Sequence, residues 1–147
     1  VKKILCAVDL EDTIAPSVEY AKMMASMTGA SILVAYVIPA HTPYEDVYLS
    51  VNNQPNEVNN PNETIQKSMN ALLAEQFAGM DATGVILVGR PSEELVKLAE
   101  EKGANLIVMG THGRAGFDRL LFGSVAHEVV RAAPCPVMTV RPLMPKK

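Results

Sequence analysis

The sequence predicts an α/β domain built on a parallel sheet. Three observations carry that prediction. Short runs such as Ile4-Leu5-Cys6-Ala7-Val8 and Ile32-Leu33-Val34-Ala35-Tyr36-Val37 are apolar on successive residues, the pattern of strands buried on both faces. Between such runs lie segments whose apolar residues recur at steps of three and four, the period of a helix with one buried face. The two kinds alternate along the chain, which implies parallel strands, right-handed crossovers and helices on both sides of the sheet.

The elements follow in order. Ile4–Val8 is the first strand. Ile14, Val18, Ala21 and Ala25, with Met24 alongside, mark the first helix; Pro16 falls early in it, where a missing N–H is tolerated, and Gly29 ends it. Met23 and Met27, on the same helix, are expected in the core. Ser31–Ile38 is the second strand. The stretch from Pro39 to Pro61 is rich in Asn and Pro and shows no period, so residues 39–60 read as a variable surface loop. Asn60-Pro61-Asn62-Glu63 is a helix start, with Asn at the cap, Pro in the first turn and Glu three residues on. Ile65, Met69, Leu72, Leu73 and Gln76-Phe77 give that helix its periodic face. Gly84–Val88 is the third strand, ended by Gly89. Pro91 opens the third helix, with Glu93 and Glu94 where the helix dipole favours them, Leu95, Val96 and Ala99 facing inward, and Gly103 at its close. Asn105–Met109 is the fourth strand, Ser124–Arg131 a short fourth helix with Val125, Val129 and Val130 inside, and Pro136–Arg141 the fifth strand. Residues 142–147 form a tail. A length of 147 residues fits a single domain over 1–147.

Composition excludes several classes of function. The net charge is −3, there is no Trp, and Lys146-Lys147 is the one C-terminal basic pair; a phosphate-neutralising, base-stacking nucleic-acid surface is not expected. No apolar stretch approaches the roughly 18 residues of a membrane span. The apolar run after Lys2-Lys3 is too short for a leader and stops at Asp9. The chain therefore reads as soluble and cytoplasmic. Cys6 and Cys135 have no metal-ligand or CxxC spacing and read as reduced core thiols.

Ligands of open parallel sheets bind outside the carboxyl ends of the strands, where the winding reverses. Two segments stand at such ends: Asp9, after strand one, and the run from Gly110 to Ser124, after strand four. Four of the nine glycines fall in that run. Glycines let a backbone approach an anion closely, and Gly123-Ser124, placed before the fourth helix, would direct free N–H groups and a hydroxyl at one spot. The pattern points to a phosphate. There is no GxxxxGK[ST] and no GxGxxG, so neither a P-loop nor a dinucleotide fingerprint applies. A base and metal carboxylates placed for phosphoryl transfer are not evident, and no catalytic or metal-ligating residue is assigned. His112 lies in the glycine run without a partner at a telling spacing, His127 and His41 are expected to be solvated, and Arg114 and Arg119 are candidates to neutralise phosphate. Tyr36 packs either in the sheet or against the ligand.

Gly110, two residues, Gly113, nine residues, then Gly123-Ser124 resembles the G-2x-G-9x-G-[S/T] motif of ATP-binding universal stress proteins. The surroundings are similar as well: Leu106-Ile107-Val108-Met109 before it, Val125-Ala126 and Pro134-Cys135-Pro136-Val137 after it, and Ile4-Leu5-Cys6-Ala7-Val8-Asp9 at the start. The resemblance covers nearly the whole chain outside the loop. It implies an open five-stranded sheet of order 3-2-1-4-5, the adenine nucleotide alpha-hydrolase-like fold, and a regulator of stress response that binds ATP, ADP or AMP. It implies that Ala7, Val8 and the backbone of Val37 frame the adenine, that Asp9 sits at the ribose, and that Met109 and Gly110 belong to the same site, with Gly110 against the ribose. Gly113, Arg114, Gly123, Ser124 and Val125 would serve the phosphates, and Mg²⁺ would ride on them rather than in a protein cage. It also implies a homodimer paired through strand 136–141. The phosphate motif, with no catalytic groups beside it, points to a regulator whose loop Pro39–Asn60 or dimer surface reports occupancy to a protein partner. In place of the small residues common in the family, Leu10-Glu11-Asp12 follows Asp9, adding carboxylates near the phosphates. A slow ATP hydrolase using Asp9, Asp12 and His112, and a nucleotide-free dimeric scaffold, are the alternatives; flavin binding is disfavoured by the lack of Trp.

Overall fold

The computed structural model describes residues 1–10, 16–39, 61–111 and 119–141. The chain runs β1 (Lys3–Ala7), α1 (Pro16–Thr28), β2 (Ser31–Pro39), α2 (Pro61–Gln76), β3 (Ala82–Gly89), α3 (Pro91–Lys102), β4 (Leu106–Gly110), α4 (Arg119–Ala132) and β5 (Val137–Val140). The strands form one sheet in the order β3-β2-β1-β4-β5, every neighbouring pair parallel. Fold and strand order are as the sequence and its resemblance implied. The loop 40–60, the tail 142–147, Ile14, Asn60 and the centre of the glycine run lie outside the described residues.

The two faces of the sheet carry separate cores, divided by residue parity. Ile4 and Cys6 of β1, Val8 just after it, and Ile32 and Val34 of β2 turn toward α1 and α2, where Val18, Ala21, Ala25, Met69, Leu72 and Phe77 meet them. Leu5 and Ala7 of β1, Ala35 and Val37 of β2, and Ile107 and Met109 of β4 turn the other way, toward Leu95, Leu98 and Ala99 of α3 and Val125, Ala126 and Val129 of α4. This alternation, strict at a period of two, is why the strands read as unbroken apolar runs. Each large side chain so enclosed contributes about 1.5–3 kcal/mol.

The helices depart from the sequence reading at three points. Met23 and Met27, expected in the core, are 46% and 73% exposed; the buried stripe of α1 is Ser17, Val18, Ala21 and Ala25, and neither methionine shares that face. On α3 the fully inward residue is Leu98, with Val96 only half-buried, because Leu95, Leu98 and Ala99 lie at i, i+3 and i+4. On α4, Val130 is 54% exposed and the inward stripe is Val125, Ala126 and Val129.

Gly84 of β3 shows why the edge strand accepts a residue with no side chain. A Cβ there would lie 2.6 Å from Met69 Cγ and 2.7 Å from Met69 Sδ, and Met69 is wholly buried. Gly84→Val should overpack this seam and cost about 1–3 kcal/mol, read as a lower urea midpoint with an unchanged slope. An unchanged midpoint would mean that α2 is free to shift.

Both cysteines are free, Cys6 buried and Cys135 half-buried. Burial pushes the Cys6 thiol up from 9.0 to about 12, and raises that of Cys135 as well. The folded state thus holds the Cys6 proton after the unfolded chain has released it, so this group lowers stability as pH climbs from 9.0 toward about 12. In the native protein an aromatic disulfide reagent should modify Cys135 readily and Cys6 only after denaturant is added; equal rates would contradict the enclosure of Cys6.

Candidate functional site

β2 outruns β1. The β1–β2 register ends at Ala7↔Ala35, whereas β2 stays paired with β3 as far as Pro39↔Gly89. The last rung between β1 and β2 is Val8 N–H donating to the Ala35 carbonyl at 2.9 Å. Backbone groups in a strand alternate direction: Ile32 N–H turns to β3, donating to Asp81 O at 2.8 Å, and Ala35 turns to β1. Val37 therefore turns its N–H and C=O to the β1 side, one step past the last rung.

A cavity of about 140 Å³ opens at that step, lined by Ala7, Val8, Asp9, Ala35, Tyr36, Val37, Pro39, Pro91, Leu95 and Val125. Its floor is the register pair Ala7 and Ala35, two small side chains that leave room above the sheet. Pro91 and Leu95 of α3 and Val125 of α4 form its far wall. The volume is small beside the roughly 300–1,000 Å³ of pockets that enclose a whole drug-sized ligand, and suits a flat ring with the remainder of the ligand outside. A donor and an acceptor on one strand edge, above an apolar floor, can read the edge of such a ring.

Five of the residues singled out in the sequence, Ala7, Val8, Asp9, Val37 and Val125, meet at this cavity. Met109 and Gly110 end the adjoining strand β4; Met109 is wholly buried in the core toward α3 and α4, and Gly110 is half-buried. Gly113, Arg114 and His112 lie outside the described residues. Tyr36 is half-buried, packs against the core on the α1 and α2 side and also lines the cavity. His127 is exposed. Pattern reading missed Ala35, Pro39, Pro91 and Leu95; the early end of β1 relative to β2 was the signal that would have found Ala35, since it leaves the register partner of Ala7 as floor.

The fourth helix starts earlier than expected. It begins at Arg119, so Gly123 and Ser124 are its fifth and sixth residues rather than the residues before it. Leu120, Leu121 and Phe122 continue the apolar period into this turn and support the extension. The free N–H groups of a helix are its first four, so those of α4 belong to 119–122, and Ser124 is exposed one turn further in.

Behind the far wall, α3 and α4 are tied together. Arg90, extended at φ −82° and ψ 118°, caps α3 without a side-chain hydrogen bond of its own. Its Nη2 donates to Glu128 Oε2 at 3.1 Å, and the buried Ser92 hydroxyl donates to Glu128 Oε1.

Taken together, the order 3-2-1-4-5 and a cavity at the carboxyl ends of β1 and β2 define a doubly wound α/β domain whose cavity lies where ligands of such sheets bind. A model of the universal stress protein family matches residues 1–141, and the chain belongs to that family. Universal stress protein MJ0531 of Methanocaldococcus jannaschii is 33% identical over 99% of this chain and 84% of its own length. Universal stress protein MJ0577 of the same organism is 28% identical over 95% and 94%. The solved structure of MJ0577 superposes with a TM-score of 0.74 at 26% identity, covering 98% of both chains. An Archaeoglobus fulgidus universal stress protein solved in complex with dAMP superposes at 0.57 with 25% identity, over 95% of this chain and 97% of that one.

No helix among the described residues is long and apolar enough to cross a membrane.

The Ser92 hydroxyl donating to Glu128, with the Arg90 guanidinium beside it, holds the Glu128 carboxyl below its ordinary 4.5, against an opposing effect of partial desolvation. A depressed folded value means that the tie contributes fully above the ordinary glutamate range and is lost as pH falls through the lowered value. Glu93, Lys97 and Glu100 on α3 and His127 on α4 stand near it, beside Arg90. Because these neighbours remain in Glu128→Gln, the difference between the two proteins isolates the tie: urea midpoints should converge as pH drops below 4.5. Midpoints that stay equally far apart at all pH values would show that the carboxylate charge contributes nothing.

Proposed function

We propose that this protein binds an adenine nucleotide and acts as a regulator whose occupancy is read by a partner. One observation carries the proposal: Val37 presents a backbone donor and acceptor at a cavity floored by Ala7 and Ala35. The Watson–Crick edge of adenine has the complementary pair, an N1 acceptor beside an N6 amino donor. With the ring above the alanines, the ribose would leave past Asp9 and Gly110. The phosphates would extend toward Gly113, Arg114, Gly123, Ser124 and the start of α4, where the helix dipole favours negative charge. ATP, ADP and AMP share every contact of the base, and Mg²⁺ would be held through the phosphates. The dAMP complex of the Archaeoglobus fulgidus relative supports the ligand class. A second universal stress protein, solved with cAMP, superposes with a TM-score of 0.68 and shares the fold. Pairing of two copies through β5 would cover an edge strand with β4 on one side.

Inosine tests the reading without a mutation, because its N1–H and O6 reverse the donor and acceptor order of adenine. Calorimetry on nucleotide-stripped protein should show saturable adenosine binding and inosine weaker by about 5- to 150-fold, the range of one bidentate pair. Ala35→Leu should grow into the cavity and abolish binding with the urea midpoint nearly kept. Mass spectrometry of the small molecules released on denaturing freshly purified protein would name the occupant. No adenine nucleotide released and no saturable adenosine binding would overturn the proposal.

A further inference from the structure

The tie between α3 and α4 occupies the same helical turns that wall the cavity. Pro91 and Leu95, on the first turns of α3, face Val125 of α4 across it. Ser92 follows Pro91 directly, Arg90 precedes it, and Glu128 stands one turn beyond Val125 on α4. The three side chains thus hold the two walls from behind, on the solvent side, where an open groove of about 390 Å³ runs between the helices along Arg90, Val96, Lys97 and Ala132.

Several features suit this arrangement to placement rather than to global stability. The Arg90 and Glu128 side chains are 56% and 40% exposed, and ion pairs so exposed add little to folding. Ser92 is 6% exposed; its hydroxyl has Glu128 as its partner, and without it would be a buried donor left unsatisfied. α3 has no side-chain cap of its own, and the Glu128 carboxylate adds to the negative charge of Glu93 and Glu94 at its N-terminus, where the helix dipole favours it. The corner that starts α3 is shaped by Gly89, at φ +152°, with the Glu94 side chain packed where a Cβ would stand; this aims Arg90 toward α4.

We propose that Arg90, Ser92 and Glu128 form a latch that sets the separation of Val125 from Pro91 and Leu95, and hence the width of the cavity, with Glu128 the positioning residue. The proposal rests on the nucleotide reading for its ligand. Releasing the latch leaves both helices folded on the sheet through Leu98, Ala99 and Val129 but lets the α4 wall swing from the cavity. Base binding then weakens while the fold persists.

The test measures adenosine affinity by calorimetry for the wild type, Glu128→Ala, Arg90→Glu, Glu128→Arg and the double variant carrying Arg90→Glu with Glu128→Arg. Val129→Ala, a core change on the same helix outside the latch and the cavity, serves as the stability control. Glu128→Ala and each single charge reversal should weaken adenosine at least about fivefold, the lower range of a coupling between sites. The charge swap, in which Ser92 accepts from the new Arg instead of donating, should return affinity to within about twofold of wild type. Val129→Ala should bind normally wherever it is folded, however much its melting temperature falls. Hydrogen exchange on the ligand-free proteins provides a readout independent of any nucleotide: the amides of Val125 and Ala126 should exchange faster in Glu128→Ala, and those of β1 should not. Affinity that tracks melting temperature across all variants, a swap that fails to rescue, or unchanged exchange at Val125 would overturn the latch. If the wild type binds no adenosine, the nucleotide reading falls instead, and exchange alone decides whether the latch holds α4.

Discussion

The hydrogen bond from Val8 N–H to the Ala35 carbonyl ends the ladder between β1 and β2, and the site is a consequence of where that ladder ends. In a buried parallel sheet every strand is satisfied by its neighbours, and a polar backbone group is available to a ligand only where one strand stops before another. Here β1 stops first, because Asp9 follows the last apolar residue of its run. β2 continues as far as Pro39 because β3 still pairs with it. The step between them turns Val37 toward the opening, and parity brings Ala7 and Ala35 to the same face as α3 and α4. Had β1 run one rung further, the Val37 groups would have been consumed by the sheet.

Much of this was legible in the residues. Each strand announced itself as an apolar run, each helix as a period of three and four, and the alternation of the two sufficed for a parallel sheet. The strand order is different: five parallel strands can be wound in several orders, and composition does not choose among them. It came from the resemblance of the glycine motif to a family. The inward face of α3 was misread although its period was there, because an apolar residue beside the stripe was counted into it: Leu98, at i+3 from Leu95, completes the stripe, and Val96, at i+1, falls beside it. For the same reason the exposed Met23 and Met27 were misread: helix α1 is apolar over more of its circumference than the sheet can cover.

The site was half legible. Residues on strand ends, Ala7, Val8, Asp9 and Val37, follow from topology alone, since ligands gather there in open sheets. The opposite wall was not legible, because Pro91, Leu95 and Val125 come from helices whose mutual placement is tertiary. The start of α4 was misplaced for a local reason. Gly123-Ser124 carries the composition of a cap, but Leu120-Leu121-Phe122 ahead of it continue the helical period in the sequence, and the helix runs through both. Glycine costs about 1 kcal/mol in a helix interior, which the burial of neighbours such as Val125 and Val129 offsets.

Because parity assigns the cavity to one face, binding there bears on one half of the molecule. The cavity-lining residues Ala7, Ala35 and Val37 share a core with α3 and α4, whereas Ile4, Cys6 and Val8 share theirs with α1 and α2. A ligand that presses on Val125 therefore acts on α4, and α4 leads within a few residues into β5, the edge of the sheet. Val8 and Tyr36, which also line the cavity, pack on the α1 and α2 side. Any report of occupancy that leaves this domain through packing has a short route, from cavity to α4 to β5, the strand at the end of the sheet order.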